Sequence, residues 1–520
     1  MLSNEGAPMD VKQFESALEN QQFPIDWPGH WVGGSWLAQP KGKTAKASTN
    51  PNNGKKLIEV QADKVAVGKA LDSAQNARSA ASQLTKSTLE ERLGWLRSFR
   101  QCLGDYQKAA GLILQIESGK PRWECDEEID ASLRYMDQVL AEGPEYIESL
   151  ARTTGTGVAL QPIGITAAYL PFSTPVTSLA VYLSAALLSG CPLIIMPSSH
   201  AMLTAVLAGM IDEAIGMPKG ILNIVFGNFA AFRQLLGDRR VEAVIFTGSR
   251  EHCETVRQES RVFLGRQLIL QSGGKNSLMV HSSADLDLAV KCAAWGALRS
   301  AGQLCTSTSR VFVYRSLTKD FCDRLTAAVA LAKIGPTDSK DSTDRGPFMG
   351  PLYSEKAVEK FLRFQTMAHR EAKDTLMWGK AVDAKGGGFF VQPAIHLLDR
   401  VDPSSAYQSN VLFSPDLAIY EYDQLDDAIE QSNATDAPFV LSFIGDGRAL
   451  DERRHLILAP NIVLNAPTVE VDATWPVAGR LQSGHFRWNG LGLAALLTYP
   501  QVMHDGAVDH KVLARWLWPQ

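Results

Sequence analysis

The sequence predicts an α/β protein built on parallel, doubly wound sheets, and three observations carry that expectation. At 520 residues the chain exceeds the size of a single hydrophobic core, so two or three domains are expected. From residue 158, short β-rich runs (VALQPIGITAAYL, PLIIMP, LNIVFG, AVIFTG) alternate with helical stretches long enough to cross back over a sheet. A second alternating segment begins near Leu268.

Residues 1 to 60 are rich in Pro, Gly, Asn and Lys and are expected to wrap the surface, with a short hairpin around HWVGGSW. Lys64 to Ser82, Leu89 to Leu103 and Tyr106 to Glu117 carry apolar residues at the three- and four-residue spacing of amphipathic helices. A long helix follows, from about Cys125 to Leu150. The most apolar stretch, Thr177 to Pro197, is interrupted by Ser, Gly and Pro. A membrane span needs about 20 unbroken apolar residues, so a buried helix-turn-strand unit is expected there. Each strand of the first series ends in Pro, Gly, Ser or Thr, at the carboxyl edge where doubly wound sheets bind ligands. The second series runs LILQSGGKNSLMV, a helix from Asp285 to Ala301, strand RVFVYR, a helix from Leu317 to Ala332, and later strands LAIYEY and NIVLN. Two α/β domains joined near residue 270 result, with small strands left over at about 151 to 165 and 485 to 510.

Composition narrows the function. A formal net charge of -5 with no long basic run argues against nucleic acid as a partner. MLSNEGAPMD opens polar and acidic with no apolar core, so neither export nor a membrane is expected. The seven cysteines are odd in number and lack CxxC pairing, which points to reduced thiols in a cytoplasmic protein, with no metal site and no disulfide framework.

One cysteine stands in a telling context. AGQLCTSTSRVFV, residues 301 to 313, resembles the nucleophile motif of aldehyde dehydrogenases, a Gly-Gln-x-Cys between a helix and a strand. ESGKP at 117 to 121 resembles the family's TGKP turn, and PIGITAAYLPFSTP at 162 to 175 its PxGVxxxxxPWNxP segment. FTGS at 246 to 249, SGGKN at 272 to 276, MGPL at 349 to 352 and GFFVQP at 388 to 393 recur in the family's order. The resemblance implies an aldehyde dehydrogenase-like fold. A Rossmann-type dinucleotide-binding domain would span 1–150 and 166–270, and a catalytic domain 271–460. Oligomerisation strands at 151–165 and 485–510 would pair across a two-fold interface in a homodimer or homotetramer. It implies chemistry as well: a Cys305 thiolate attacks an aldehyde, a hydride leaves to NAD or NADP, and activated water hydrolyses the thioester.

Set against that pattern, several positions differ. The family's oxyanion-donating Asn is Ser173 here, whose shorter reach weakens one donor; losing such a donor costs about 10² to 10³ in rate. The Glu that activates water is Gln271, and a neutral amide takes no proton near pH 7. The Lys and Glu that address the adenosine ribose in KPSE are replaced in Met196-Pro197-Ser198-Ser199. The Glu that holds the nicotinamide ribose is Val411, two residues before Phe413. Thr247, Gly248 and Ser249 keep a strand-to-helix turn of the kind that favours a pyrophosphate, although Thr and Ser serve equally as helix caps. Gly273 lies in the SGGKN turn on the cofactor side, and Cys253 replaces a Gly, which would crowd the cofactor. PVAGRLQSGHFRW at 476 to 488 resembles the branch that oxidises N-succinylglutamate semialdehyde, with His485 and Arg487 as candidates to face an anionic substrate.

Three functions remain open at this level. The chain is an active NAD(P)-dependent aldehyde or semialdehyde dehydrogenase, with Cys305 as its anchor. Alternatively it is an acylating or reductive relative that needs no base, given Gln271. Or it is a noncatalytic or weakly active member, given Met196 and Val411.

Overall fold

The computed structural model of the chain describes residues 9–27, 29–38, 45–61, 63–154, 157–260, 263–338, 346–383, 386–472, 474–485 and 490–503. Two seven-stranded sheets organise it. In the first, the strands lie in the order Gln267–Gln271, Val241–Thr247, Ile165–Leu170, Leu193–Pro197, Leu222–Ile224, Gly29–Val32 and Ser35–Ala38. The first five are parallel. The chain enters at Ile165–Leu170, works outward to Leu222–Ile224, then returns to Val241–Thr247 on the other flank of its starting strand. That reversal opens a crevice outside the carboxyl ends of Ile165–Leu170 and Val241–Thr247.

The N-terminal hairpin forms where the sequence places it, but it is no surface wrap. Gly29–Val32 is buried along its whole length and extends the sheet, antiparallel to Leu222–Ile224. The reason is aromatic: Trp31 is 2% exposed, and its indole N–H donates to Asp212 at 2.6 Å.

The apolar stretch forms the helix Pro175–Ser189, closed by Gly190 at φ +83°, and then the fully buried strand Leu193–Pro197. No helix among the described residues is long and apolar enough to cross a membrane. The long helix runs Arg122–Thr154 and starts directly after Pro121, so it is longer than its periodicity indicates. The helix Met202–Ile215 has no side-chain cap at its own N-cap, Ala201. Glu117 supplies one from 86 residues upstream, accepting from Leu203 N–H at 2.8 Å and from Thr204 N–H and hydroxyl. Burial pushes that carboxyl up to about 7 despite these bonds.

From Gln271 the chain passes to the second sheet, ordered Asp374–Met377, Ala394–Leu398, Asp416–Tyr422, Thr308–Tyr314, Asn276–Val280, Val440–Ile444 and Asn461–Leu464. All its pairings are parallel except at the edge Asp374–Met377. Val158–Pro162 pairs antiparallel with Thr498–Val502 as a separate two-stranded sheet.

His30 fixes the added hairpin to the parallel core: its Nδ1 accepts the Phe226 N–H at 3.0 Å and the ring is fully buried. Burial lowers its pKa to about 4, against a slight upward pull from Asp63. A lowered folded-state pKa means stability present above the unfolded value of 6.5 and lost as pH falls toward 4. Across that window the wild-type protein is expected to lose about 3 kcal/mol relative to His30→Gln, at 1.36 kcal/mol per pKa unit. Urea unfolding of both proteins at stepped pH checks this, and parallel curves would refute it.

Candidate active site

Cys305 lies in a turn whose backbone is held in an unusual shape. The preceding turn Arg299–Gly302 places Ser300 and Ala301 at φ +51° and +52°, and Gly302 at +71°. Left-handed residues without glycine store strain and persist only where surroundings fix them. Here Gln303 provides the fixing: its amide donates to Ser300 O at 3.0 Å and Pro351 O at 3.2 Å, and its oxygen accepts from Tyr353 N–H at 2.8 Å. A Cβ on Gly302 would sit 2.3 Å from Ser414 O, so this glycine lets the turn touch the 411–415 segment. A Cβ on Gly273 (φ +82°) would lie against Phe413 and Cys305, at 3.4 and 3.6 Å.

The half-buried thiol borders a cavity of about 770 Å³. Ser173, Thr174, Thr177 and Ser178 line one wall, from the carboxyl end of Ile165–Leu170. Glu124, Glu127 and Glu128 line another, from the first turns of Arg122–Thr154. Lys120 pairs there with Glu128, both buried, and donates to Ser173 O at 2.6 Å. Glu124 accepts from the Ser300 N–H and hydroxyl, which ties this helix to the nucleophile turn.

Gln271 is fully buried beside the thiol, and neither its amide nitrogen nor its oxygen has a partner within the protein. Burial pushes the Cys305 thiol up to about 11, while the Gln271 side chain and the backbone N–H groups of Cys305 and Thr306 pull it down. Tyr182, within electrostatic reach of Cys305, shares a hydrogen bond with Thr247 Oγ1 at 3.2 Å. Sequence reasoning missed Tyr182 because it lies in an unbroken apolar helix with no motif around it.

Residues 36–503 match the profile of the aldehyde dehydrogenase family. The chain belongs to that family. It is 30% identical over 413 residues to the NADP(+) succinate-semialdehyde dehydrogenase GabD of Escherichia coli, covering 78% of this chain and 82% of that one. It is 28% identical over 493 residues to the N-succinylglutamate 5-semialdehyde dehydrogenase of Paraburkholderia xenovorans, covering 92% and 96%. A solved Escherichia coli NADP-dependent enzyme superposes with a TM-score of 0.83 at 25% identity, covering 92% and 97%.

A dinucleotide such as the NADP of those relatives needs a slot for its base and polar partners for its riboses. Phe229 opens the helix after Leu222–Ile224, and His252 lies in the first turn of the helix after Val241–Thr247. Their rings meet across the gap, tilted at 45° with centroids 4.3 Å apart. A base inserted between them would need about 7 Å, two van der Waals contacts of ~3.5 Å. At the ribose positions Met196 is fully buried, Ser198 Oγ accepts from His200 N–H, and half-buried Val411 offers no polar side-chain atom. Half-buried Ser199 brings no charge.

The strand-to-helix turn is occupied from within. Gly248 N–H donates to Gln271 O, Thr247 bonds Tyr182, and Ser249 caps its helix by accepting His252 N–H. Capping therefore accounts for Ser249 here. Cys253 does not crowd the groove: its thiol turns inward toward Gln271 O, at 3.5 Å.

Phe413 sits at φ +58° and joins Phe172, His200 and Tyr353 in an aromatic cluster, with Phe172 to Tyr353 at 4.6 Å. His485 fails as a substrate contact. Its Nδ1 bonds the carbonyl of Leu268 and its ring faces a separate hollow beside Cys253, because residues 483–485 pair with the edge of Gln267–Gln271. Arg487 lies outside the described residues.

Alkylation of Cys305 by iodoacetamide, read by peptide mass spectrometry, is expected to be slow at neutral pH and still rising near pH 10. Gln271→Ala moves the profile to higher pH. A half-maximal rate at about pH 8.5, the midpoint of an unperturbed thiol, would contradict the site's electrostatics.

Proposed function

We propose that Cys305 adds to the carbonyl of an aldehyde or semialdehyde held in the cavity, the entry step of the oxidation for which its relatives are named. The observation that carries this is the half-buried thiol on the wall of a 770 Å³ cavity, in a turn fixed by Gln303. The sulfur bonds the carbonyl carbon, the C=O π pair moves to oxygen, and that oxygen takes the thiol proton. Donors for it are at hand in the Ser173 hydroxyl and the unpartnered Gln271 amide.

Completion to the acid with NAD or NADP, with N-succinylglutamate semialdehyde as a candidate substrate, rests on family membership and on relatives such as GabD. At the position of the family's base, Gln271 cannot activate water for thioester hydrolysis. The close Phe229–His252 pair favours a second reading, in which the chain captures aldehydes without turnover as a weakly active or noncatalytic member. Both readings take the protein to be cytoplasmic. Both take it to be a homodimer or homotetramer as well, since Thr498–Val502 leaves Tyr499 and Val502 exposed on a two-stranded sheet that a copy could extend.

Purified protein mixed with NAD or NADP and a panel of semialdehydes separates the readings. Growth of reduced-nicotinamide absorbance supports turnover; none, alongside aldehyde protection of Cys305 from alkylation, supports capture alone. If absence of the base is what limits turnover, Gln271→Glu is expected to raise the steady-state rate by roughly 10²-fold or more. An unchanged rate would place the block in the dinucleotide groove.

A further inference from the structure

We infer that Glu124 is a positioning residue for thiol addition, holding the nucleophile turn in register with the segment that carries Ser173. This rests on Cys305 being the group that adds to the carbonyl. Lys120, just before the helix Arg122–Thr154, and Glu124, Glu128 and Ser132 within it follow one another at four-residue spacing, so they share one face. All four are buried. Three of them grip the Ser173 side of the site. Lys120 donates to Ser173 O at 2.6 Å, Glu128 accepts from Val176 N–H at 2.9 Å, and the Ser132 and Thr177 hydroxyls share a hydrogen bond at 3.1 Å. Glu124 reaches the other way, to the nucleophile turn, where its carboxylate accepts the Ser300 N–H at 3.1 Å and the Ser300 hydroxyl. A single helix face therefore sets the spacing between the oxyanion donor's segment and the Cys305 turn.

The turn depends on that grip. Ser300, Ala301 and Gly302 are three left-handed residues in succession, and only the third is a glycine. Ala301 has no polar side chain by which to be held. The conformation is secured at Ser300: Glu124 takes both of its donors, and its carbonyl accepts from the Gln303 backbone N–H and side-chain amide, each at 3.0 Å. A carboxylate suits this place because it accepts twice and donates nothing. Arg299 Nε, 3.8 Å away, offsets part of its charge.

Two reactions of the same thiol separate positioning from general support. Alkylation by iodoacetamide needs no oxyanion donor, whereas addition to an aldehyde needs the sulfur and Ser173 in register. Glu124→Gln keeps the shape but offers one acceptor oxygen to two donors. It is expected to raise by about tenfold the propionaldehyde concentration that half-protects Cys305 from alkylation, read by peptide mass spectrometry. The alkylation rate without aldehyde is expected to change little. Ser300→Gly removes the hydroxyl and adopts the left-handed backbone unaided, so in the Glu124→Gln background it is expected to restore protection. Equal protection of wild type and Glu124→Gln overturns the positioning role and leaves thiol capture standing. A loss shared equally by alkylation and protection, or one that Ser300→Gly does not restore, overturns it as well. No protection of the wild type overturns thiol capture and the positioning role with it.

Discussion

The amide of Asn276 holds the nucleophile in place, and most of the site follows from it. Its nitrogen donates to the carbonyls of Cys305 and Ser307, both at 2.9 Å, and its oxygen accepts from Val440 N–H at 3.0 Å. One buried side chain therefore joins three segments at the point where the second sheet begins. The cost of leaving any of those groups unpaired in the interior is about 1–3 kcal/mol each, which is why a strained turn can persist beside it. Gln303 and Glu124 grip the same turn from two other sides. The framework for a precisely placed thiol is complete, whatever the thiol does.

Around that framework the charges have been redistributed. In the groove, where a dinucleotide's hydroxyls and phosphates would call for ions and free N–H groups, the structure has apolar or self-bonded groups: Met196, Val411 and a turn whose donors face inward. In the cavity the opposite holds, with carboxylates gathered on the walls. Burying an ion costs several kcal/mol unless it is paired, so the acidic wall is tolerable only because Lys120 and Arg299 stand within it and its mouth meets water. The two halves of the site have thus moved in different chemical directions while the nucleophile between them stayed put.

Much of this was legible in the sequence, for identifiable reasons. Alternating β and helical periodicity is a property of local segments, so both parallel sheets and the buried Pro175–Ser189 unit could be expected from spacing alone. Collinear motifs announced the family, and SGGKN and GQLC proved to be the segments that clasp the thiol. What spacing could not reveal was partnership across the fold. Glu124 and Glu127 carry no local motif, yet the turn after Pro121 aims them at the cavity. Phe229 and His252 are 23 residues apart and meet only because two crossover helices begin side by side. The hairpin at Gly29–Val32 looked like surface because its burial depends on Asp212 and Ile224, far along the chain. His485 looked like a ligand because nothing local shows that its neighbours pair with a strand edge.

The backbone of Gln271 is anchored whatever its side chain is: it ends a strand, accepts from Gly248 N–H and the Cys253 thiol, and bridges to Gly484. Only the terminal amide group separates it from a glutamate, and the genetic code puts the two residues one base substitution apart. The two side chains share one shape, so exchange leaves the packing intact and a glutamate there bears only the cost of its buried charge. The Phe229–His252 contact is different, because opening a slot for a base there means remaking two helix starts together. A lineage carrying this fold could regain a proton acceptor in a single step, whereas a route back through the groove would be long. The two departures from the family's pattern therefore differ in how readily they could reverse.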